Sequence, residues 1–197
     1  MKIIEEKYSF AHPLAKRAAT EHLILHHSAV KGISAQTIHS GHLANGWSGI
    51  AYHYYVRANG DVYRGRPEDT QGGHTKNMNE RSIGICFEGN FDGEEMSAEQ
   101  FEAGRALIAD ICSRYEGIKV SRHSDHNATA CPGLHFPFDE ICKPLSKEKD
   151  EPSEWARDAA RWAADKGIFC GDGDGDFRWH DYITREEMAV LLRRVLN

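Results

Sequence analysis

The sequence predicts an α/β fold in which helices flank a mixed central β-sheet, with a small helix-loop-helix module at the C-terminus. Two short apolar segments, at 22–27 and 82–88, are typical of buried strands. A hairpin is predicted at 51–66, and intervening segments have the period of amphipathic helices. Strands and helices mixed in this way favour a single sheet with helices packed on it.

The strand at 22–27 presents His26 and His27 at its C-terminal end. Because side chains alternate along a strand, His27 should point to the face opposite His26 and have a structural role. Ser34 is a suitable N-cap for a short helix that follows. That helix would carry Ile38, His39 and His42.

The hairpin is predicted from Asn59-Gly60, a strong turn signal that separates two arms rich in β-branched and aromatic residues. The next strand, SIGICFE at 82–88, is apolar enough to lie in the centre of the sheet. A further short strand is expected at 118–121, just before a polar stretch that contains a histidine and a cysteine.

The longest predicted helix starts at Ser97, which forms a capping box with Gln100. Its apolar residues recur at helical spacing, so that one face should pack on the sheet. They are Phe101, Gly104, Leu107, Ile108, Ile111, Cys112 and Tyr115.

The domain organisation follows from a change of composition near residue 145. We expect a first domain at 1–145, a charged, proline-containing linker at 146–152 and a module at 153–197. A capping box of Thr184 and Glu187 should open the last helix of the module, after a Gly/Asp loop. The face of the module's first helix would consist of Trp155, Ala159, Trp162 and Ala163.

The composition excludes several classes of protein. The 197 residues carry a net charge of −6, which argues against nucleic-acid binding and against adsorption to anionic membranes. No segment is long and apolar enough for membrane insertion, and the first residues have no signal-peptide pattern. Five cysteines without a CxxC pair argue against a full disulfide framework. The sequence therefore predicts synthesis in the cytoplasm.

A metal site is suggested by His26, His123 and Cys131. Two imidazoles and one thiolate form a donor set that zinc accepts in catalytic sites, where a fourth position is left for water. Bound zinc generates a nucleophile near neutral pH, so the predicted reaction is hydrolysis of an amide or ester. Spacing alone leaves open that the three residues are unrelated, because no HExxH motif is present.

Four segments together resemble the zinc-dependent N-acetylmuramoyl-L-alanine amidases of the type-2 amidase family, which includes phage endolysins and peptidoglycan recognition proteins. They occur in the family order and cover most of residues 20–140. The segments are LILHHSA (23–29), SAQTIHSGHLANGWSGIAYHYYVRANGDVYRGRPE (34–68), GGHTKNMNERSIGICFEGNFD (72–92) and RHSDHNATACPG (122–133).

The resemblance implies a role for each matching residue. His26, His123 and Cys131 match the zinc ligands of the family. Tyr52 matches the tyrosine that orients or activates the water and steadies the tetrahedral intermediate. Thr129 stands where relatives carry Lys or Thr near the developing oxyanion, and its hydroxyl can donate a hydrogen bond without adding positive charge.

Further residues of the matching segments are expected around the site. His74 and Asn79 would contact the peptide stem or the sugar, together with His39 and Trp47. Arg66 is a further candidate for contact with substrate. For both Trp47 and Arg66, a role in packing and in support of the hairpin is equally open. We expect three supporting features as well: His53 behind the site, a hydrogen bond from the His123 ring to the Asp125 carboxylate, and a solvent-exposed His126.

The segment WARDAARWAADKGIFCGDGDGDFRWHDYITREEMAVLLRRVL (155–196) resembles a single S-layer homology repeat. Such repeats anchor surface proteins to secondary cell-wall polymers, and the basic position of the repeat matches Arg185. A single repeat could also pair with copies of itself, which predicts a homo-oligomer. The run Asp172-Asp174-Asp176 departs from a calcium loop, because Phe177 and Ile183 stand where Gly and Glu are needed.

The resemblance implies a peptidoglycan hydrolase that cleaves the amide bond between N-acetylmuramic acid and L-alanine, with Zn²⁺ as cofactor. It would act on the cell wall after release through a holin-type lesion, as an endolysin does. Three alternatives stay open. They are a non-catalytic module that binds muropeptides, a bacterial autolysin with the same chemistry, and a Cys/His peptidase with Cys131 as nucleophile.

Overall fold

The structure is a computed structural model in which the chain divides into two compact units, Met1–Leu145 and Ser146–Asn197. The residues that it describes are 2–143, 151–170, 177, 179, 183 and 185–196. Most of the predicted linker, the Asp172–Asp176 run and the predicted cap residue Thr184 lie outside these residues.

Within the described residues, six strands form one sheet in the N-terminal unit. They are β1 (Ile3–Glu5), β2 (His22–His27), β3 (Tyr54–Val56), β4 (Val62–Arg64), β5 (Ser82–Phe87) and β6 (Lys119–Arg122). Their order in space is β1-β4-β3-β5-β2-β6. β3 and β4 are antiparallel, whereas the pairs β1–β4, β2–β5, β2–β6 and β3–β5 are parallel. The prediction of a mixed sheet is confirmed.

β5 lies in the centre of the sheet, between β3 and β2. Every residue of β5 is buried, as the apolar sequence of this strand predicts for a strand covered on both faces. His26 lies beside Cys86 in the parallel register of β2 and β5. Because β6 also runs parallel to β2, the chain that leaves β6 emerges next to the end of β2. This arrangement brings distant parts of the sequence to one edge of the sheet.

Three helices accompany the sheet in the described part of this unit: α1 (Ala35–Ala44), α2 (Ala98–Arg114) and α3 (Phe138–Ile141). Both predicted N-caps are confirmed, since the Ser34 and Ser97 side chains accept hydrogen bonds from the Thr37 and Gln100 backbone N–H groups. The predicted capping box at Ser97 is incomplete, however. The Gln100 side chain instead donates to the carbonyls of Val56 and Glu88, which ties α2 to the sheet.

The two faces of the sheet carry separate apolar clusters. On one face, Leu23, Leu25, Ile83 and Ile85 pack against α2 and α3. On the other face, Tyr55 and Cys86 pack against Ala35 and Ile38 of α1. Because side chains alternate along β2, His26 and His27 point to opposite faces of the sheet.

The hairpin between β3 and β4 has a five-residue loop, 57–61, that contains the predicted Asn59-Gly60 turn. Gly60 has φ +83°, and a Cβ atom at this position would lie 3.0 Å from the Glu99 carbonyl oxygen. The turn thus needs glycine both for its backbone conformation and for its closeness to α2.

Sequence reasoning missed two elements, β1 and α3. β1 has three residues and pairs in parallel with β4, at the register Ile3–Val62. The α3 helix is a single turn that places the buried Ile141 in the cluster beneath α2. Neither segment is long enough to show a period of its own, so tertiary contacts decide both.

Glu68 joins the sheet to the C-terminal end of α2. Its carboxylate accepts hydrogen bonds from the Tyr54 and Tyr115 hydroxyls and from two nitrogens of the Arg114 guanidinium. Burial raises the pKa of Glu68, but the donors on Arg114, Tyr115 and Tyr54 outweigh burial and lower this pKa to about 2.

We expect the Glu68→Gln substitution to lower the free energy of unfolding by about 3 kcal/mol at neutral pH. The carboxylate contributes stability above its unfolded-state pKa, and this contribution is lost as the pH falls towards about 2. Urea unfolding of both proteins between neutral and acid pH should show the difference disappear. Glu102→Gln, in an exposed pair with Arg105, is the control and should have almost no effect.

The described part of the C-terminal unit contains α4 (Arg157–Asp165) and α5 (Arg185–Leu196). The predicted apolar face of α4 is wrong in part. Trp155 precedes the helix in a 3-10 turn and is 90% exposed, and Ala159 is exposed as well. The residues that α4 buries are Ala160 and Ala163. Among the helices that the structure describes, none has the length and apolar character to span a membrane.

Candidate metal centre

Three potential metal ligands meet at the edge of the sheet where β2 and β6 end. His26 is the fifth residue of β2, His123 follows β6 directly, and Cys131 lies in the next loop. Their donor atoms all lie within 4.8 Å of one another. The Nδ1 atom of His26 is 3.8 Å from Cys131 Sγ, and the rings of His26 and His123 are 4.5 Å apart between centroids.

Hydrogen bonds at the far side of each ring indicate which nitrogen faces the centre. His26 Nε2 is 2.9 Å from His74 Nδ1, and His123 Nε2 is 3.1 Å from Asn127 Oδ1. The Nδ1 atoms of both ligands are therefore free of these bonds. A metal-binding histidine commonly uses its second nitrogen in this way, which fixes the orientation of the ring.

The donor set fits a zinc ion. Zinc bonds of about 2.1 Å to nitrogen and 2.3 Å to sulfur in a tetrahedron place N and S roughly 3.5 Å apart, close to the separation of His26 and Cys131. Burial lowers the pKa of His26 and of His123, so that both rings are neutral and can donate lone pairs. Burial raises the pKa of the Cys131 thiol to about 11, and the backbone N–H of His27, which points at Cys131 Sγ over 3.4 Å, offsets part of this rise.

His74 is placed behind the ligands rather than at an open surface. Its Nδ1 atom contacts both His26 and the Thr75 hydroxyl, and its ring is buried. A Cβ atom on Gly72 or Gly84 would approach the His74 ring to about 2.5 Å, so the two glycines make the space for it. The structure thus gives His74 a position from which it orients His26.

Asn79 has a related structural position. Its Oδ1 atom accepts hydrogen bonds from the backbone N–H groups of His74 and Thr75, at 2.9 and 3.0 Å. This bidentate contact fixes the loop that carries His74. The predicted contact of His74 and Asn79 with substrate stays a prediction, whereas their support of His26 is visible in these bonds.

Tyr52 lies beside the ligands on the face of the sheet covered by α1. Its ring centroid is 5.2 Å from that of His26. Burial, with the nearby Cys86 and Cys131 thiols, raises the pKa of Tyr52 well above its usual value. The Tyr52 hydroxyl therefore stays protonated at neutral pH, which suits a hydrogen-bond donor.

Thr129 is exposed at the mouth of the site, two residues before Cys131. Its Oγ1 atom accepts a hydrogen bond of 3.2 Å from the Cys131 backbone N–H. The threonine hydroxyl keeps its own proton for donation, since this contact uses the oxygen as an acceptor.

The prediction that His39 contacts substrate is wrong. His39 is 4% exposed, and both of its ring nitrogens already have partners, the Ile50 backbone N–H and the Ser9 carbonyl. Tyr8 and Phe10 pack against the ring. A histidine on a short helix gives no sign in the sequence of this burial, because its partners come from outside the helix.

Arg66 is also buried, and the structure favours the supporting role that the sequence left open. Its guanidinium donates to the carbonyls of Ile50 and Gln71. Trp47, in contrast, is 49% exposed and packs on His42, with a centroid separation of 4.7 Å. His42 in turn lies 5.8 Å from the Tyr52 ring, so that an exposed aromatic surface borders the site.

The supporting predictions have mixed outcomes. His27 points away from His26 as predicted, accepts a hydrogen bond from the Phe91 N–H and stacks on its ring. His53 is fully buried and packs against His74 rather than against a ligand. The predicted bond from Asp125 to His123 is wrong, because Asp125 accepts from the Arg122 N–H.

His126 is half-buried rather than exposed, as its Nε2 atom bonds to Ser121 Oγ and its ring packs on His22. Sequence reasoning missed Asn127 as the partner of His123, although the spacing of four residues is the signal for such a contact in a helical turn. Cys86, which alternation along β5 places on the same face as Tyr52, is fully buried in the apolar cluster there.

The profiles of two protein families match the chain. The sequence profile of the N-acetylmuramoyl-L-alanine amidase family matches residues 16–134, and that of the S-layer homology domain matches residues 149–189. The endolysin of Klebsiella phage KP32 is 31% identical over 127 residues, which are 60% of this chain and 84% of the endolysin. Peptidoglycan-recognition protein SC2 of Drosophila melanogaster is 32% identical over 125 residues, which are 57% of this chain and 68% of that protein.

The fold is shared with solved structures. The N-acetylmuramoyl-L-alanine amidase LysC from Clostridium intestinale URNW is 39% identical, with a TM-score of 0.70 over 72% of this chain and 95% of that chain. The endolysin of Thermus scotoductus bacteriophage Ph2119, at 22% identity and a TM-score of 0.63, shares the fold.

Proposed function

Because the chain belongs to the N-acetylmuramoyl-L-alanine amidase family, we propose that it hydrolyses the amide between N-acetylmuramic acid and L-alanine with a zinc ion held by His26, His123 and Cys131. The chain is an amidase and a peptidoglycan hydrolase, in accord with its endolysin relatives. The observation that carries the proposed zinc centre is the convergence of two imidazoles and one thiol at one edge of the sheet.

In this proposal, His26, His123 and Cys131 would hold a zinc ion, which would supply Lewis-acid chemistry for lowering the pKa of a water molecule and for polarising the scissile carbonyl. The Tyr52 hydroxyl, protonated and next to His26, orients the attacking water and donates a hydrogen bond to the oxygen that becomes negative. Thr129 donates a second hydrogen bond from the exposed side of the site. Neither group adds a positive charge, so catalysis depends on the placement of these two donors.

Two further residues act by holding ligands in place. His74 fixes the ring of His26, and Asn127 fixes the ring of His123. Both bonds use the Nε2 atom and so leave Nδ1 directed at the centre. A site with its ligand rings fixed in this way loses little entropy when the metal binds.

We also propose how substrate approaches. Trp47 presents an exposed indole beside His42 and Tyr52, and a flat aromatic surface of this kind packs against the apolar face of a sugar or against a peptide stem. His74, which is buried, supports His26 from behind, and the half-buried Asn79 fixes the loop that carries His74.

The alternative of a non-catalytic binding module is disfavoured by the complete donor set, which a pure recognition protein does not need. A thiol peptidase would use Cys131 as nucleophile and one histidine as base. The geometry favours the metal, since two histidine rings rather than one are directed at the sulfur.

For the C-terminal unit, we propose binding to an anionic cell-wall polymer, with Arg185 at the start of α5 as a ligand. The S-layer homology domain implies attachment to such a polymer. The site of action is the cell wall, reached after release from the producing cell through a holin-type lesion, as with the phage endolysins to which the chain is similar. A bacterial autolysin would perform the same chemistry.

The first test is muropeptide release from purified peptidoglycan, with metal content measured on the same sample. We expect about one zinc ion per chain, new L-alanine amino termini, loss of activity after chelation and recovery after zinc is added. Zinc with binding but without cleavage would instead identify a recognition module. Activity that persists after complete removal of the metal would identify a thiol enzyme.

A further inference from the structure

The ring of His74 is enclosed, and each of its two nitrogens faces a polar atom of the protein. Nδ1 lies 2.9 Å from His26 Nε2, and Nε2 lies 3.4 Å from Ser82 Oγ. A Cβ atom on Gly72 or Gly84 would come within 2.7 Å of Nε2, so the backbone closes this end of the ring to water. The hydrogen of the His74 ring must therefore be matched to these protein atoms.

Ser82 can only accept a hydrogen bond from His74. The Ser82 hydroxyl donates its single hydrogen to the Met78 carbonyl over 2.7 Å, which leaves the Ser82 oxygen as an acceptor for the ring. Burial favours the neutral form of His74, and a neutral imidazole has one N–H group. The hydrogen of His74 is therefore on Nε2, and Nδ1 carries a lone pair.

The metal ligand at the other end of these bonds requires the same arrangement. Zinc would bind the Nδ1 lone pair of His26, so the hydrogen of that ring must be on Nε2. This N–H group points at His74 Nδ1, which must then accept. The Thr75 hydroxyl contacts the same Nδ1 atom and can donate to it as well. Both ends of the bonded series thus place the hydrogens in the same way.

We propose that Ser82 is a positioning residue of the amidase, which sets the nitrogen that His26 offers to the metal. Acting through His74, Ser82 holds the hydrogen of His26 on Nε2 and keeps the Nδ1 lone pair directed at the centre. The turn before β5 anchors this arrangement, because the Met78 carbonyl that accepts from Ser82 also accepts from the Arg81 N–H. This inference rests on the proposed zinc centre.

The experiment determines which ring nitrogen carries each hydrogen in the metal-free chain, by long-range proton–nitrogen correlation NMR. In the unchanged chain we expect the hydrogens of His26 and His74 on Nε2. Ser82→Ala removes the acceptor, so that part of the His74 population should carry its hydrogen on Nδ1. The hydrogen of His26 should then move to Nδ1 to the same extent, because two N–H groups cannot face each other over 2.9 Å.

Zinc affinity is the second measurement on Ser82→Ala, made by competition with a chelator. Metal binding to this variant has to restore the arrangement in which His74 Nε2–H lacks its acceptor. We therefore expect the zinc dissociation constant to rise by about 10- to 100-fold, as substitutions behind metal ligands commonly produce.

Ser121→Ala is the matched control. Ser121 Oγ lies 2.8 Å from His126 Nε2, so this variant also removes a serine hydroxyl from a histidine ring, but the ring is not one of the three candidate ligands. Its zinc affinity should equal that of the unchanged chain, and the hydrogens of His26 and His74 should stay on Nε2.

Three results would overturn the proposal. One is a hydrogen on Nδ1 of His74 in the unchanged chain, and another is unaltered placement of the hydrogens in Ser82→Ala. Weaker zinc binding of this variant without any movement of hydrogens is the third, because it would show a structural role alone. Failure of the zinc centre itself has a different signature, since the unchanged chain would then bind no zinc.

Discussion

Replacing Cys131 by serine is expected to remove the zinc ion and to lower amidase activity by about three orders of magnitude or more. Serine keeps the size of the side chain but its hydroxyl is a poor zinc ligand at neutral pH, because only a thiolate supplies negative charge there. The Cys131 sulfur also accepts a hydrogen bond from the His27 backbone N–H, and serine would remove this sulfur acceptor. Metal analysis and muropeptide release on one sample would measure both effects.

A matched control for this change is Cys112→Ser. Cys112 is half-buried on α2, within the cluster on the other face of the sheet, and its substitution should cost some stability while zinc content stays at the unchanged level. Serine at position 131 with full activity that resists chelation would contradict the zinc centre. Loss of activity with zinc retained would instead mean that the cysteine acts as something other than a ligand.

The sheet could be predicted from the sequence because its strands differ strongly from their surroundings. β5 is apolar after Ser82 and β2 ends in two histidines, so both the type and the position of these strands follow from pattern alone. The strand order could not be derived in the same way. It depends on parallel pairs such as β1 with β4, which join residues about sixty positions apart and leave no local signal.

The candidate ligands were predicted through resemblance, since a histidine and a cysteine eight residues apart have no diagnostic spacing. What the sequence did not reveal is how each ring is held. Asp125 looked like the partner of His123 because it carries a charge two residues away. Its carboxylate instead accepts a hydrogen bond from the Arg122 backbone N–H. The neutral Asn127 bonds the ring instead.

His39 shows the opposite error. The residue is polar and belongs to a segment that resembles the family, which favoured a place at the surface of the groove. In the segment before β2, Phe10 packs against the His39 ring and the Ser9 carbonyl bonds to the Nε2 atom of His39. Such a contact between segments about thirty residues apart is decided by tertiary structure, and periodicity within the helix cannot report it.

Tyr52→Phe is expected to lower kcat by about 100- to 1,000-fold while zinc content and KM change little. The substitution removes one hydroxyl from the neighbourhood of His26 and leaves the ring, so the fold and the ligands should be preserved. The lost hydrogen bond stabilises only the developing negative charge, and for that reason the effect should appear in kcat. The nearby Cys86 thiol forms only weak hydrogen bonds and should tolerate the loss of the hydroxyl.

The control for this change is Tyr63→Phe, since Tyr63 is also partly buried and packs against the same apolar cluster as Tyr52. Its rate should stay close to that of the unchanged enzyme. Equal rates for Tyr52→Phe and the unchanged enzyme would mean that Thr129 alone supplies the donor at the oxyanion. A rise in KM at constant kcat would place Tyr52 in substrate binding, because an interaction made equally in the ground and transition states changes only KM.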